Sequence, residues 1–111
     1  MVPSGIKDFK TFWAYYLREH RNPVSRRLHF VGTFLVLAVF LIALLEGKLQ
    51  YLLAMPLFGY FFAWIGHFFF EKNKPATFRY PFFSLMSDFY MFWMLLTGRL
   101  GAELKKHGAE T

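Results

Sequence analysis

Four histidines, seven acidic residues and no cysteine set the limits of what this 111-residue chain can do chemically. Without thiols, a bound metal has to be held by imidazole nitrogen and carboxylate oxygen, a donor set that suits divalent transition metals. His29 and His67 stand near the ends of long apolar runs, and His20 lies just ahead of the first. Glu71 follows His67 by four residues, which places both on one face of a helix. Asp88 is a carboxylate inside a third apolar stretch, and a charge there needs a partner or a proton. Pairing with an arginine such as Arg79 or Arg26 is its expected fate, with metal ligation as the other option. His107, in a polar tail, reads as solvated. The chain has no phosphate-cradling glycine loop, no Gly-x-Ser-x-Gly elbow and no His-Glu-x-x-His pair.

The elements that must position these residues are helices in a membrane. Hydrophobic residues make up 56% of the chain and 16 residues are Phe. A soluble domain of this size buries too little of its surface to enclose so much, so the excess must face lipid, a partner or a fatty ligand. Residues 6–20 carry Phe9, Phe12, Trp13, Tyr16 and Leu17 at helical spacing, with charges mostly around the rest of the wheel. This pattern predicts an amphipathic helix lying in the interface, with Ser4 as its N-cap and Trp13 and Tyr15 among its interfacial anchors. Asn22-Pro23 ends it. Residues 28–45 then form an uncharged run about 27 Å long as a helix, enough to cross most of a bilayer core. After the short turn Glu46-Gly47-Lys48, residues 49–70 form a second span, antiparallel to the first. A third membrane-embedded helix is expected over 81–97, marginal in length for a crossing, followed by a polar tail over 98–111 that frays after a short helical start. The fold class is therefore an all-α integral membrane protein of one domain.

The net charge of +6 comes from bases flanking apolar runs, the layout of headgroup contacts and not of nucleic acid binding. Lys7, Lys10, Arg18, Arg21, Arg26 and Arg27 precede the first span, Lys48 alone lies between the spans, and Lys72, Lys74 and Arg79 follow the second. The positive-inside rule puts the N-terminus and the 71–80 loop in the cytoplasm. Arg99, Lys105 and Lys106 pull the tail to the same side, in conflict with a full third crossing. A tilted or half-inserted third segment would resolve the conflict, and so would a tolerated violation of the rule; the sequence does not choose between them.

With this topology, His20, His29, His67 and Glu71 fall at one depth on the cytoplasmic side. Each also has a plainer reading: His20 as a helix C-terminal cation, His29 as a headgroup contact, Glu71 as a surface ion pair. His67 is the least easily dismissed, because ionisable residues inside spans are rare. Tyr60, Trp64, His67 and Glu71 share a stripe of the second span, an apolar wall leading to the polar cluster. Gly59, Ala63 and Gly66 form a small-residue face suited to close helix contact.

The stretch His20-Arg21-Asn22-Pro23 with His29, and the stretch Gly66-His67-Phe68-Phe69-Phe70-Glu71-Lys72-Asn73-Lys74-Pro75-Ala76 with Ser84-Leu85, resemble the two signatures of the membrane 2-hydroxy fatty acid dioxygenases of fatty-acid α-oxidation. The resemblance covers roughly residues 12 to 90. Arg21 stands where eukaryotic members often have a second adjacent histidine, and the short chain is similar to the bacterial form, which implies the bacterial inner membrane. The resemblance further implies an Fe2+ cofactor with His20, His29 and His67 as iron ligands, and O2 and a long-chain 2-hydroxy fatty acid as reactants. It also implies Arg26, Arg27 or Lys72 as the group that holds the substrate carboxylate. Set against it are a non-catalytic lipid-binding or assembly protein with a structural His/Glu cluster, and metal-assisted hydrolysis of a lipid ester. Assembly into a homo-oligomer is left open.

Overall fold

A computed structural model describes residues 5–75 and 79–109, and among these every regular element is helical. Helix α1 (Phe9–Arg18) begins at Asp8, whose carboxylate accepts the Thr11 N–H at 2.7 Å. The expected cap, Ser4, lies outside the described residues. Asn22 caps α2 (Pro23–Glu46), its side-chain oxygen accepting the Val24 N–H at 2.8 Å, and Pro23 occupies the first turn, where no N–H is needed. Gly47 ends α2 in the left-handed region at φ 66°, which a residue without Cβ adopts freely.

The chain returns through Leu49–Glu71, a helical stretch of 23 residues. It is not uniform: a 3-10 turn (Leu49–Leu53) leads into α3 (Ala54–Ile65), which gives way to a π-helical turn (Gly66–Glu71) around His67. Pro56 is tolerated because it falls in the first turn of α3. The π turn closes at Lys72, a non-glycine residue at φ 58°.

Close approaches between α2 and the returning stretch run in descending register. A Cβ on Gly32 would lie 3.1 Å from Phe62 Cβ and 3.3 Å from the Phe58 carbonyl oxygen. One on Gly59 would lie 3.3 Å from Val36, and one on Gly66 would lie 2.7 Å from the Ser25 hydroxyl. Residue numbers on α3 fall as those on α2 rise, so the two helices pack in opposite directions. α2 and the whole returning stretch Leu49–Glu71 are apolar and long enough to cross a membrane, yet only 22% and 11% of their most apolar windows are buried.

Helix α4 (Pro81–Leu96) packs on α2, and α5 (Leu100–Lys106) follows after a short turn. Two expectations are corrected here. The ring face of α1 does not face lipid: Phe12, Trp13, Tyr15, Tyr16 and Leu17 are buried in one cluster with Met91 and Met94 of α4 and Leu100 and Leu104 of α5. Phe and Tyr rings on the facing side of α4 give this aromatic helix a partner, with Trp13 edge-on to Tyr90 at 4.6 Å between centroids. Nor does the tail fray over its described residues, up to 109, because Leu104 and Ala109 anchor it in the same cluster and the Trp13 indole donates to Glu103 at 2.9 Å.

Candidate metal centre

His20 arrives at the end of the turn after α1, His29 from the second turn of α2, and His67 from the π turn. All three are buried, and one ring nitrogen from each lies within 4.8 Å of the others. The ring centroids stand 4.4 to 5.0 Å apart with near-perpendicular planes.

Each imidazole is oriented by a carbonyl-type oxygen at Nδ1. His20 meets the Tyr16 carbonyl at 2.6 Å, His29 the Ser25 carbonyl at 2.9 Å, and His67 the Asn73 side-chain oxygen at 2.6 Å. Both helical carbonyls lie four residues back, a contact the helix itself supplies. An oxygen of this kind only accepts, so Nδ1 carries the proton in all three rings and Nε2 of the neutral imidazole is bare. Burial first, then the neighbouring His29 and His67, holds His20 well below the ordinary imidazole range, in its neutral form. His20 Nε2 and His29 Nε2 nonetheless lie 3.1 Å apart. Two bare lone pairs cannot hydrogen-bond to each other. A cation between them satisfies both, and a metal about 2.0–2.1 Å from each nitrogen spans this gap. The donor set therefore fits a metal ion.

Asn73 reaches His67 because Lys72 turns the chain back. The Asn73 amide also donates to the Glu19 carbonyl at 3.0 Å, tying the π turn to the His20 turn. The sequence held a signal for this: an asparagine between Lys72 and Pro75 marks a turn just after a buried histidine.

The other expected site residues are placed differently. Glu71 stands outside the three-nitrogen group. Both its oxygens accept the Asn22 N–H, at 2.9 and 3.0 Å, so it secures the corner between α1 and α2. Arg26 donates to the carbonyls of His20 and Arg21, at 2.7 and 2.8 Å, and so holds the backbone of the His20 turn. Arg27 and Lys72 are exposed. Arg21 turns away from the centre, its guanidinium donating to the Gly108 carbonyl at 3.3 Å. Asp88 pairs with neither Arg79 nor Arg26; it accepts the Tyr16 hydroxyl at 2.5 Å. Burial and the Asp88 charge hold the Tyr16 phenol well above its usual range, so it stays protonated and donates.

Two cavities meet at this centre. The smaller, about 20 Å³, is lined by all three histidines together with Tyr16, Trp64 and Asp88 among others. The larger, about 400 Å³, lies between α2, α3 and α4 and is walled mainly by apolar residues such as Val36, Met55, Pro56, Phe82 and Leu85. His29, Tyr60, Ala63 and Asp88 line both. The expected wall residue Tyr60 thus stands at the junction, with Trp64 on the smaller cavity. Among the described residues, no lysine or arginine lines either one.

Neither the curated proteins nor the solved structures contain a match to this chain. A family model described as 2-hydroxy-palmitic acid dioxygenase Mpo1-like matches residues 6–100, and with buried histidines from both of its apolar helices brought to one point, the chain belongs to that family.

Proposed function

We propose that the chain is an Fe2+-dependent membrane dioxygenase that shortens a long-chain 2-hydroxy fatty acid by one carbon. The observation that carries this reading is the convergence of three imidazoles with bare Nε2 atoms at the end of an apolar cavity. His20, His29 and His67 would hold the metal, and three protein ligands leave positions open for reactants. Iron, when bound, would supply the redox couple through which O2 reacts. The overall reaction balances without a further reductant: the 2-hydroxy acid and O2 give the acid one carbon shorter, CO2 and water.

The protein's own groups account for the rest. The larger cavity lies within the range of small-molecule sites, roughly 300–1,000 Å³, and its apolar walls suit an acyl chain. Val36, Gly59 and Met55 line it away from the histidines and would receive the tail. Arg27 and Lys72, exposed and lining neither cavity, would attract the carboxylate of an approaching acid before it enters. Arg26 and Glu71 act on geometry by holding the His20 turn. Asn73 orients His67.

The membrane setting belongs to the same proposal. Leu45, Leu53, Leu57, Phe61 and Phe69 are at least 60% exposed on α2 and the returning stretch, an arrangement that lipid accommodates and water does not. These two helices would span the bilayer. The Trp13–Glu103 hydrogen bond supports a topology in which α1 and α5 would lie on one side and α4 would enter without crossing. The bases of the tail then share the cytoplasmic side with those of the N-terminus.

The test is metal content and oxygen uptake. Protein purified in detergent without oxygen should hold about one iron per chain. Adding a 2-hydroxy fatty acid and O2 should consume oxygen and release the acid one carbon shorter. Stoichiometric zinc, or no metal, would overturn the reading.

A further inference from the structure

Asp88 is a carboxylate on an otherwise apolar helix, and neither the metal nor an ion pair accounts for it. It lines both cavities at their junction, where only His29, Tyr60 and Ala63 accompany it. Tyr16 donates to Oδ1, and no other hydrogen bond to this carboxyl group is made among the described residues. The group is therefore held in place by α1 while one of its oxygens keeps its accepting capacity.

A 2-hydroxy acid carries its groups in a fixed order: tail, then C2 with its hydroxyl, then the C1 carboxylate. The cavities run in the same order, from apolar wall to junction to histidines. With the tail in the larger cavity and C1 toward the histidines, C2 falls at the junction. A hydroxyl there is a donor, and a carboxylate is the strongest acceptor a side chain offers. We infer that Asp88, held by Tyr16, accepts the hydrogen bond of the substrate's 2-hydroxyl and so selects 2-hydroxy acids over unsubstituted ones. The inference rests on the function proposed above and names the group that reads its substrate. An unsubstituted acid leaves this acceptor facing hydrogen atoms, and a site built for a hydroxyl discriminates strongly against the analogue lacking it.

Binding to iron-loaded protein kept free of oxygen, measured by equilibrium dialysis with 2-hydroxypalmitate and palmitate, reads this selection without turnover. Wild type should prefer 2-hydroxypalmitate by about tenfold or more. Asp88→Ala should lose that preference, with palmitate bound no more weakly than by wild type because the unpaired acceptor is gone. Should Asp88→Ala not fold, the double variant Asp88→Leu, Tyr16→Phe serves, because it removes the acceptor together with the hydroxyl that donates to it and leaves neither unpaired. The preference should again collapse. Retention of the preference in a folded Asp88 variant overturns the inference. So does equal binding of the two acids by wild type, which leaves the metal and oxygen-uptake test standing. If the chain takes up no iron or binds neither acid, the function itself falls, and the inference with it.

Discussion

His67 is held by a single side chain, and that makes Asn73 the most informative residue near the metal centre after the histidines. Loss of an outer partner of a ligating histidine commonly weakens metal affinity about 10- to 100-fold. Asn73→Ala should do this in a metal-competition titration while leaving helix content unchanged, whereas His67→Ala should abolish stoichiometric iron. Arg21 gives the opposite expectation. Its side chain leaves for Gly108, so Arg21→His should not change the number of irons bound per chain. The meeting of the three histidines was legible in the sequence because two antiparallel apolar runs bring His29 and His67 to the same end, with His20 just ahead of the first run. Glu71 was not, because helical spacing says which face a side chain shares and nothing about the backbone N–H at Asn22 that claims it. Asp88 was recognised as needing a partner, but its partner is a phenol 72 residues away, and pairing by charge points to arginine instead.

At the level of elements, the α2–α3 contact depends on the absence of side chains. A leucine at position 32 would press on the Phe58 carbonyl, which belongs to a helix and cannot yield as a side-chain tip can. Gly32→Leu should destabilise the fold by about 1–3 kcal/mol, seen as a lower melting temperature in detergent, and reduce iron retention by parting His29 from His67. Phe12→Ala should cost about 3–5 kcal/mol, since Phe12 is fully buried among the rings of α1 and α4. The helices themselves could be read from apolar run length, from Asn22-Pro23 and from Gly47. The π turn could not, since Gly66–Glu71 continues the same apolar pattern and one extra residue in the turn leaves no trace in composition. Nor could the burial of α1: one ring-rich face looks the same whether lipid or another helix covers it.

Across the whole molecule, the contact between Trp13 of α1 and Glu103 of α5 supports the proposed topology, in which α4 enters the bilayer without crossing it. Lys7→Cys and Lys106→Cys should both react with a membrane-impermeant maleimide from the same side of sealed vesicles; labelling from opposite sides would mean that α4 crosses. The three Nδ1 anchors carry a further consequence. Tyr16, Ser25 and Asn73 aim the imidazoles through the protein's own hydrogen bonds, so the socket is complete before any ion arrives. Small zinc domains commonly unfold when stripped. Here a chelator should remove the metal with no change in far-ultraviolet circular dichroism, and fresh ferrous iron should restore the centre without refolding. On the proposed reading the centre would then behave as an exchangeable fitting in a rigid frame, its occupancy following the supply of iron around it.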